Sequence, residues 1–323
     1  MTGPDQPSRI GGSGIAVGLL SAAAFGTSGA LAKSLLEAGW SPGAAVTARI
    51  TGAAALLLVP ALVQLRGRWH AVRANLAMVL AYGLVAIAGV QLFYFNAVQT
   101  LSVGVALLLE YLGLVLVVGW IWFRGRRPGA WTWIGVVLAV AGLLLVLDVV
   151  GGGTVDAVGV LWGLGAAIGV AVYFVLSSKE ATGLPPLAMA AGGMTVGALG
   201  LWVAAGVGVL PMQAPALDVR LGGVHVPWFV PLVLLCLLST ALAYATGIVA
   251  ARRLGPKVAA FLGLTEVLFA VGFAWVLLDE LPLPIQLAGG VLIVAGVAAV
   301  RYDELSDPAL VPAEGEVPVE PHG

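Results

Sequence analysis

Long apolar stretches alternate with short polar ones along almost the whole chain. Each stretch holds about 20 residues, which as a helix rising ~1.5 Å per residue spans the ~30 Å hydrocarbon core of a bilayer. The pattern therefore predicts ten transmembrane helices, with most sequential helices packed as antiparallel neighbours because their connections are short. The predicted spans are residues 14–36, 43–65, 74–98, 101–123, 130–149, 157–178, 186–210, 228–251, 255–278 and 283–301.

Three polar regions frame this pattern. Residues 1–13 are predicted to be a cytoplasmic tail that leads into a retained first helix, because no signal cleavage site follows them. Residues 302–323 are rich in proline and acidic residues, which predicts a disordered cytoplasmic tail. Among the connections, only residues 211–227 have room for structure of their own.

The composition agrees with a protein whose solvent is lipid. Of 323 residues, 60% are hydrophobic and 10% are charged, which excludes an ordinary water-soluble domain. We therefore expect an all-α polytopic membrane protein whose partners are the lipid bilayer and a small molecule, with no nucleic acid. The 45 glycines, about twice the usual share of ~7%, indicate close helix contacts. The single cysteine excludes an intramolecular disulfide.

The basic residues predict the orientation of the chain. Short cytoplasmic loops carry an excess of Lys and Arg. With the N-terminus inside, twelve basic residues lie on the inner side and two on the outer side. Both termini are therefore predicted to be cytoplasmic. The protein itself is expected in the cell (inner) membrane. The inner residues are Arg9, Arg66, Arg68, Arg73, Arg124, Arg126, Arg127, Lys179, Arg252, Arg253, Lys257 and Arg301, and the outer ones are Lys33 and Arg220.

The chain divides near Gly151 into two halves of five segments, residues 14–150 and 151–301. In each half the fourth segment contains one carboxylate near the predicted bilayer midplane, Glu110 or Glu266. Five is odd, so the halves would have opposite orientations, as in the inverted repeats of many secondary transporters. A charge at that depth costs at least ~2.5 kcal/mol. We therefore expect both glutamates to face protein or a cavity and to serve transport, against the alternative of a purely structural role.

A few further polar residues within the spans are candidates for substrate or coupling roles. Arg49 lies at a depth similar to that of Glu110, so it would either pair with that carboxylate or hold a substrate carboxylate. The seventh segment, which corresponds to the segment of Arg49, contains no basic residue, so Glu266 is the better candidate for reversible protonation. Lys33 would extend to the outer interface or contact substrate. The residues expected either to line a polar cavity or to form hydrogen bonds between helices are Tyr94, Asn96, Gln99, Thr240 and Tyr244.

Several short motifs resemble those of the EamA-like family in the drug/metabolite transporter superfamily. Together with the repeat, these motifs indicate that family. Those of the first half are Phe25-Gly26-Thr27, Lys33, Arg49, Phe93 to Ala97, and Val103 to Ala106 followed by Glu110 to Gly113. Those of the second half are Tyr244, Arg252 to Pro256, Glu266 and Asp279-Glu280-Leu281. The run from Val103 to Gly113 is most similar to the threonine/homoserine-exporter branch. Two positions depart from the pattern, since Leu114 and Val267 stand where proline is usual, and proline there would kink the helix.

The resemblance implies a secondary transporter that exports amino acids or related small metabolites by alternating access, with or without proton coupling. The alternatives are an uncoupled facilitator, a multidrug exporter of the same fold, or a non-transporting structural subunit. An enzyme is not expected, because the three histidines, His70, His225 and His322, lie outside the predicted spans and no hydrolase motif occurs. No cofactor or metal is expected either.

Overall fold

The computed structural model describes residues 8–123, 129–146, 156–177, 184–247, 249–250 and 265–306. These residues form twelve helices and one small hairpin. The helices of the first half are α1 (Ser8–Glu37), α2 (Pro42–Gln64), α3 (Trp69–Ala74), α4 (Leu76–Thr100), α5 (Val103–Tyr111), α6 (Gly113–Phe123) and α7 (Ala130–Val146). Those of the second half are α8 (Ala157–Ser177), α9 (Pro186–Gly206), α10 (Phe229–Gly247), α11 (Thr265–Leu278) and α12 (Pro284–Ser306).

The helices confirm an all-α, multi-pass membrane architecture. Within the described residues, five helical stretches are long and apolar enough to cross a bilayer, in α1, α2, α4, α9 and α10. Shorter apolar stretches occur in α7, α8, α11 and α12. Predicted span residues 147–149, 178, 248, 251 and 255–264 lie outside the described part of the chain.

The fourth predicted span is not one continuous helix. It divides at Leu112 into α5 and α6, one residue after the Glu110-Tyr111 pair. Leu112 donates its N–H to the carbonyl of Leu109 at 3.1 Å, which tightens the last turn of α5. Gly113 then opens α6 against α8, where an added Cβ would lie 2.5 Å from the carbonyl oxygen of Ala167. The interruption beside the carboxylate therefore forms without the proline that position 114 lacks.

The ends of the bundle also differ from the prediction. α1 begins at Ser8, and α12 continues to Ser306, so both predicted tails are helical where they adjoin the bundle. At the second end the reason is local, because residues 302–306 contain neither proline nor glycine to stop the helix. The rest of both predicted tails lies outside the described residues.

Two helices contain wider, π-helical turns at matching places. These turns are Tyr82–Gly89 in α4 and Leu237–Leu242 in α10, which are the third spans of the two predicted halves. Such turns often occur at functional sites because they re-aim the side chains that follow. Here the first precedes Gln91 and Tyr94, and the second contains Ser239 and Thr240.

The packing of the helices exchanges between the two predicted halves. α1 packs on α11 and α10, and the corresponding α8 packs on α5, α6 and α4. α9 packs on α4, and the corresponding α2 packs on α10. α2 packs on α9 and α7 packs on α12, and in each of these pairs the two partners are the corresponding helices of the two halves. This exchange supports the predicted duplication.

Glycines permit the close approach of α7 and α12, as their abundance predicts. A Cβ added at Gly142 would lie 2.5 Å from the carbonyl oxygen of Gly289. A Cβ added at Gly296 would lie at the same distance from the carbonyl oxygen of Gly135. The two backbones are therefore in direct contact at two reciprocal places, which only small residues allow.

The long connection between α9 and α10 has structure of its own, as predicted. It contains the antiparallel strands β1 (Val219–Leu221) and β2 (Val224–Val226), joined at Gly222 and Gly223 with φ of 60° and 79°. Two consecutive positive φ values suit the tight turns that match strand twist. The N–H of Gly222 bonds to the carbonyl of Leu277 at 2.9 Å, and Trp40 Nε1 donates to the carbonyl of Pro215 at 3.0 Å. The connection thus joins the α1–α2 turn to the end of α11.

Candidate functional site

A cavity of about 230 Å³ lies inside the bundle, between helices of both halves. Its walls come from α1, α2, α4, α5, α8, α10 and α11, and most of the wall is apolar. The polar and aromatic residues that line it are Phe25, Ser28, Arg49, Gln91, Tyr94, Glu110, Tyr111, Tyr244 and Glu266.

Both midplane glutamates of the sequence prediction face this one cavity. Glu110 stands in the last turn of α5, and Glu266 stands near the start of the described part of α11. The phenol of Tyr111 donates to Glu266 Oε2 at 3.3 Å. Within the described residues, neither carboxylate is within 4 Å of a Lys, Arg or His nitrogen. Two acidic groups from opposite halves therefore share one space without a basic partner in contact.

Arg49 is buried, with 2% of its surface exposed, and it is bonded to three other helices. Its Nη1 donates to Ser28 Oγ of α1 at 2.8 Å and to Gln91 Oε1 of α4 at 2.6 Å. Its Nε donates to Thr240 Oγ1 of α10 at 3.0 Å, and Nη2 donates to the Ser239 carbonyl at 3.3 Å. The ion pair with Glu110 does not form, because the guanidinium is satisfied by neutral acceptors closer to it.

Lys33 does not line the cavity. Its ammonium forms an ion pair with Glu280 and donates to the carbonyl of Leu101 at 3.0 Å. Glu280 also accepts from the N–H of Val103 at 3.1 Å. These four residues, which we call the clasp, tie the end of α1 to the start of α5 and to the turn between α11 and α12.

The remaining predicted residues divide into two groups. Tyr94 and Tyr244 line the cavity, whereas Thr240 lies behind it as a partner of Arg49. Asn96 donates its side-chain amide to the carbonyl of Leu92 at 2.7 Å and does not line the cavity. Gln99 is exposed and lies outside the cavity too. The predicted motif from Arg252 to Pro256 falls outside the described residues.

Three polar lining residues were not among the predicted site residues: Ser28, Gln91 and Tyr111. Gln91 lies three residues before Tyr94, so it shares a helix face with a residue that was predicted. Tyr111 adjoins Glu110, and Ser28 adjoins Thr27 of the first motif. Helix-face spacing around the predicted residues would therefore have found at least Gln91. No group of three or more metal-ligating side chains occurs in the described part of the chain.

Comparison with known proteins decides the family. The model of the EamA-like transporter family matches the chain twice, over residues 12–148 and 157–302. This chain belongs to the EamA-like transporter family. The two matches lie on either side of the glycine run at which the sequence divides. Members of this family are transporters and not enzymes.

The EamA-like chain has curated relatives along most of its length. It is similar to the threonine/homoserine exporter RhtA of Escherichia coli (strain K12), with 31% identity over 292 residues that cover 88% of this chain and 90% of the relative. It is also similar to the threonine/homoserine exporter RhtA of Salmonella typhimurium (strain LT2), with 30% identity over 243 residues that cover 74% and 75%. These similarities confirm the resemblance stated from the motifs.

A solved crystal structure has the same fold as this EamA-like protein. The two superpose with a TM-score of 0.58 over 92% of this chain and 99% of the other. Their sequences are 20% identical, so the likeness concerns the fold alone.

Proposed function

We propose that this protein exports small amino acids, of the size and polarity of threonine and homoserine, across the cytoplasmic membrane. One observation carries the proposal: two carboxylates and one guanidinium face a single cavity between the two halves. An amino acid carries an ammonium and a carboxylate, so it needs acidic groups at one end of its site and donors at the other. Glu110 and Glu266 are suited to the ammonium, and the region of Arg49 is suited to the carboxylate.

The size of the cavity favours a small substrate. At about 230 Å³ it is smaller than the ~300–1,000 Å³ typical of sites for drug-sized ligands. A multidrug exporter would need more room or a more open groove. The names of the relatives in Escherichia coli and Salmonella typhimurium agree with an amino-acid substrate.

Alternating access between two inverted five-helix halves is the mechanism that we propose. The exchange of helix contacts between the halves and the two family matches support it. In such folds the site lies at the repeat interface and one half moves against the other. Basic residues are concentrated in every second connection, and this supports a cytoplasmic location for both the N-terminus and the C-terminus.

We propose that the two carboxylates couple transport to protons. A proton and a substrate ammonium each neutralise a carboxylate, so they compete for the same groups. Glu266, which accepts a hydrogen bond from Tyr111 and contacts no basic residue in the described structure, is the proposed coupling group. Inward proton movement would then drive outward movement of substrate.

Transport by the purified protein in proteoliposomes tests the proposal. The panel holds threonine, homoserine, larger amino acids and cationic drugs, with a pH-sensitive dye inside the vesicles. We expect flux of the small amino acids accompanied by proton movement. Flux without proton movement would favour a facilitator, drug flux would favour a multidrug exporter, and no flux would favour a structural subunit.

A further inference from the structure

The orientation of the Gln91 side chain is fixed by its neighbour. A guanidinium has five N–H donors and no acceptor. The Gln91 atom that lies 2.6 Å from Arg49 Nη1 must therefore be the amide oxygen. The amide nitrogen, Nε2, is then turned to the other side of the carboxamide. Arg49 itself is held by Ser28, Thr240 and the Ser239 carbonyl, so this arrangement has little freedom.

The Nε2 of Gln91 has no acceptor from protein within the described residues. The side chain is half-buried and lines the cavity, on the face of α4 that also presents Val90 and Tyr94. Two N–H groups are therefore left for whatever the cavity contains. Donors of this kind select an acceptor, and a carboxylate is the strongest acceptor on an amino acid.

We infer that Gln91 is the residue that recognises the α-carboxylate of the substrate. Its two N–H groups bind the carboxylate, and the positive charge of Arg49 behind it strengthens that bond. The ammonium of the same substrate then lies toward Glu110 and Glu266. Arg49 is a positioning residue in this scheme, since four of its five N–H groups already bond to protein. The inference rests on the proposed function, because it concerns the same cavity and the same substrate class.

The test compares threonine with threonine methyl ester, which keeps the ammonium and the hydroxyl but has no carboxylate. The main variant is Gln91→Glu, which keeps an oxygen acceptor for Arg49 and replaces the donor group with a second oxygen. We expect the KM for threonine to rise roughly tenfold to hundredfold, as for a lost hydrogen bond to a charged group. The KM for the ester should stay the same or fall, which reverses the preference of the wild type.

A second variant and two controls separate recognition from structure. Gln91→Met removes the donors without adding charge. It should raise the KM for threonine and leave the KM for the ester unchanged. Ser28→Ala removes another acceptor of Arg49, so it should affect the acid and the ester alike. Gln99→Met changes the same residue type on the exposed side of α4 and should change neither.

The outcomes distinguish this inference from the proposed function. If the wild type carries neither threonine nor homoserine, the proposed function fails and the inference fails with it. If the wild type carries threonine and both Gln91 variants impair the acid and the ester equally, or impair neither, the function stands and the assignment of Gln91 is overturned. If the Gln91 variants lose transport of threonine but keep transport of the ester, the result supports both the proposed function and the assignment of Gln91.

Discussion

Two charged clusters lie within the same helical bundle, and they treat charge in opposite ways. In the clasp, Lys33 meets Glu280, the carbonyl of Leu101 accepts a further hydrogen bond from Lys33, and the N–H of Val103 donates one to Glu280. In the cavity, Glu110 and Glu266 share one space, and the bond from the Tyr111 phenol is the contact that the structure gives to Glu266. The clasp neutralises its charges internally, whereas within the described part of the chain the two cavity carboxylates have no basic group in contact.

This difference separates holding from binding. A charge that is paired with protein groups joins structural elements and is neutralised without a ligand. A charge without such a partner is costly in a membrane unless a ligand or proton compensates it. Arg49 shows that location alone does not decide the matter, because it lines the cavity and is nevertheless bonded to three neighbouring helices. The hydrogen-bond and ion-pair partners of a charged side chain therefore indicate its role better than its depth in the bundle does.

The largest effect is expected from neutralising the two cavity carboxylates. Glu110→Gln and Glu266→Gln each keep the size of the side chain and remove the charge that would meet an ammonium. Loss of a charged hydrogen bond predicts roughly a tenfold to hundredfold fall in threonine transport. Initial rates in proteoliposomes measure it, with Glu37→Gln as a control at an exposed position at the end of α1. Wild-type rates in both cavity variants would remove the functional distinction between cavity and clasp.

The same two variants also separate the roles of the carboxylates. If Glu266 is the coupling group, Glu266→Gln should lose the pH dependence of transport, while Glu110→Gln retains a pH-dependent residual rate. Rates measured over a pH series at saturating threonine show this. A pH profile in Glu266→Gln that matches the wild type would refute the coupling role.

Arg49→Lys should have the next largest effect, on stability as well as on transport. Lysine keeps the charge but lacks the planar fork, so it cannot reach acceptors on α1, α4 and α10 together. A buried acceptor left without its donor costs about 1–3 kcal/mol. We expect a clear fall in the Tm of the detergent-purified protein, with Arg66→Lys at an exposed position as the control. An unchanged Tm would show that Arg49 does not hold the helices together.

Hydropathy and spacing were enough to predict an all-α architecture of apolar helices and the close glycine contacts, and they singled out Glu110 and Glu266, which line one cavity in the structure. These features follow from the bilayer itself, because it demands apolar helices and penalises a buried charge. The break at Leu112 was not predicted. It depends on how closely Gly113 approaches α8, which is a tertiary contact and has no proline to signal it.

The errors at the site have a geometric origin. Tyr94 and Asn96 are two residues apart, so on a helix they point in nearly opposite directions and cannot both line one cavity. The structure places Tyr94 inside and turns Asn96 to its own helix backbone. Of the two alternatives for Arg49, the pair with Glu110 does not occur in the described structure, for a different reason. Depth along two helices gives no information on which acceptors lie beside the guanidinium, and Ser28, Gln91 and Thr240 lie closer than Glu110 does.

The clasp should show a smaller effect, on stability more than on substrate preference. Its side chains are partly exposed, at 13% for Lys33 and 20% for Glu280, so the ion pair is stronger than a surface pair but is still screened. A double-mutant cycle with Lys33→Met and Glu280→Gln should give a coupling of about 1 kcal/mol in thermal or chemical unfolding. The KM for threonine should not change. A change in substrate preference would place the clasp with the binding residues and break the distinction.

The smallest effect on stability is expected at Asp156, which precedes the first residue of α8. Like the residues of the clasp, Asp156 is a charged group whose partners are protein groups. It accepts from the backbone N–H groups of Gly159 at 3.1 Å and Val158 at 3.3 Å at the start of α8. A hydrogen bond with the side chain of Thr100 and those two bonds hold the pKa of Asp156 below its usual value. A lowered pKa stabilises the folded state above the unfolded pKa of about 3.9, and this contribution is lost as the pH falls through the folded pKa. Asp156→Asn should therefore lower the Tm slightly at pH 7, and the difference should shrink as the pH falls below about 4 and vanish once the pH lies below the folded pKa. Asp218→Asn controls for the loss of one exposed charge. A Tm difference that persists in acid would mean that the carboxylate is held for its shape and not for its charge, unlike the carboxylates of the cavity.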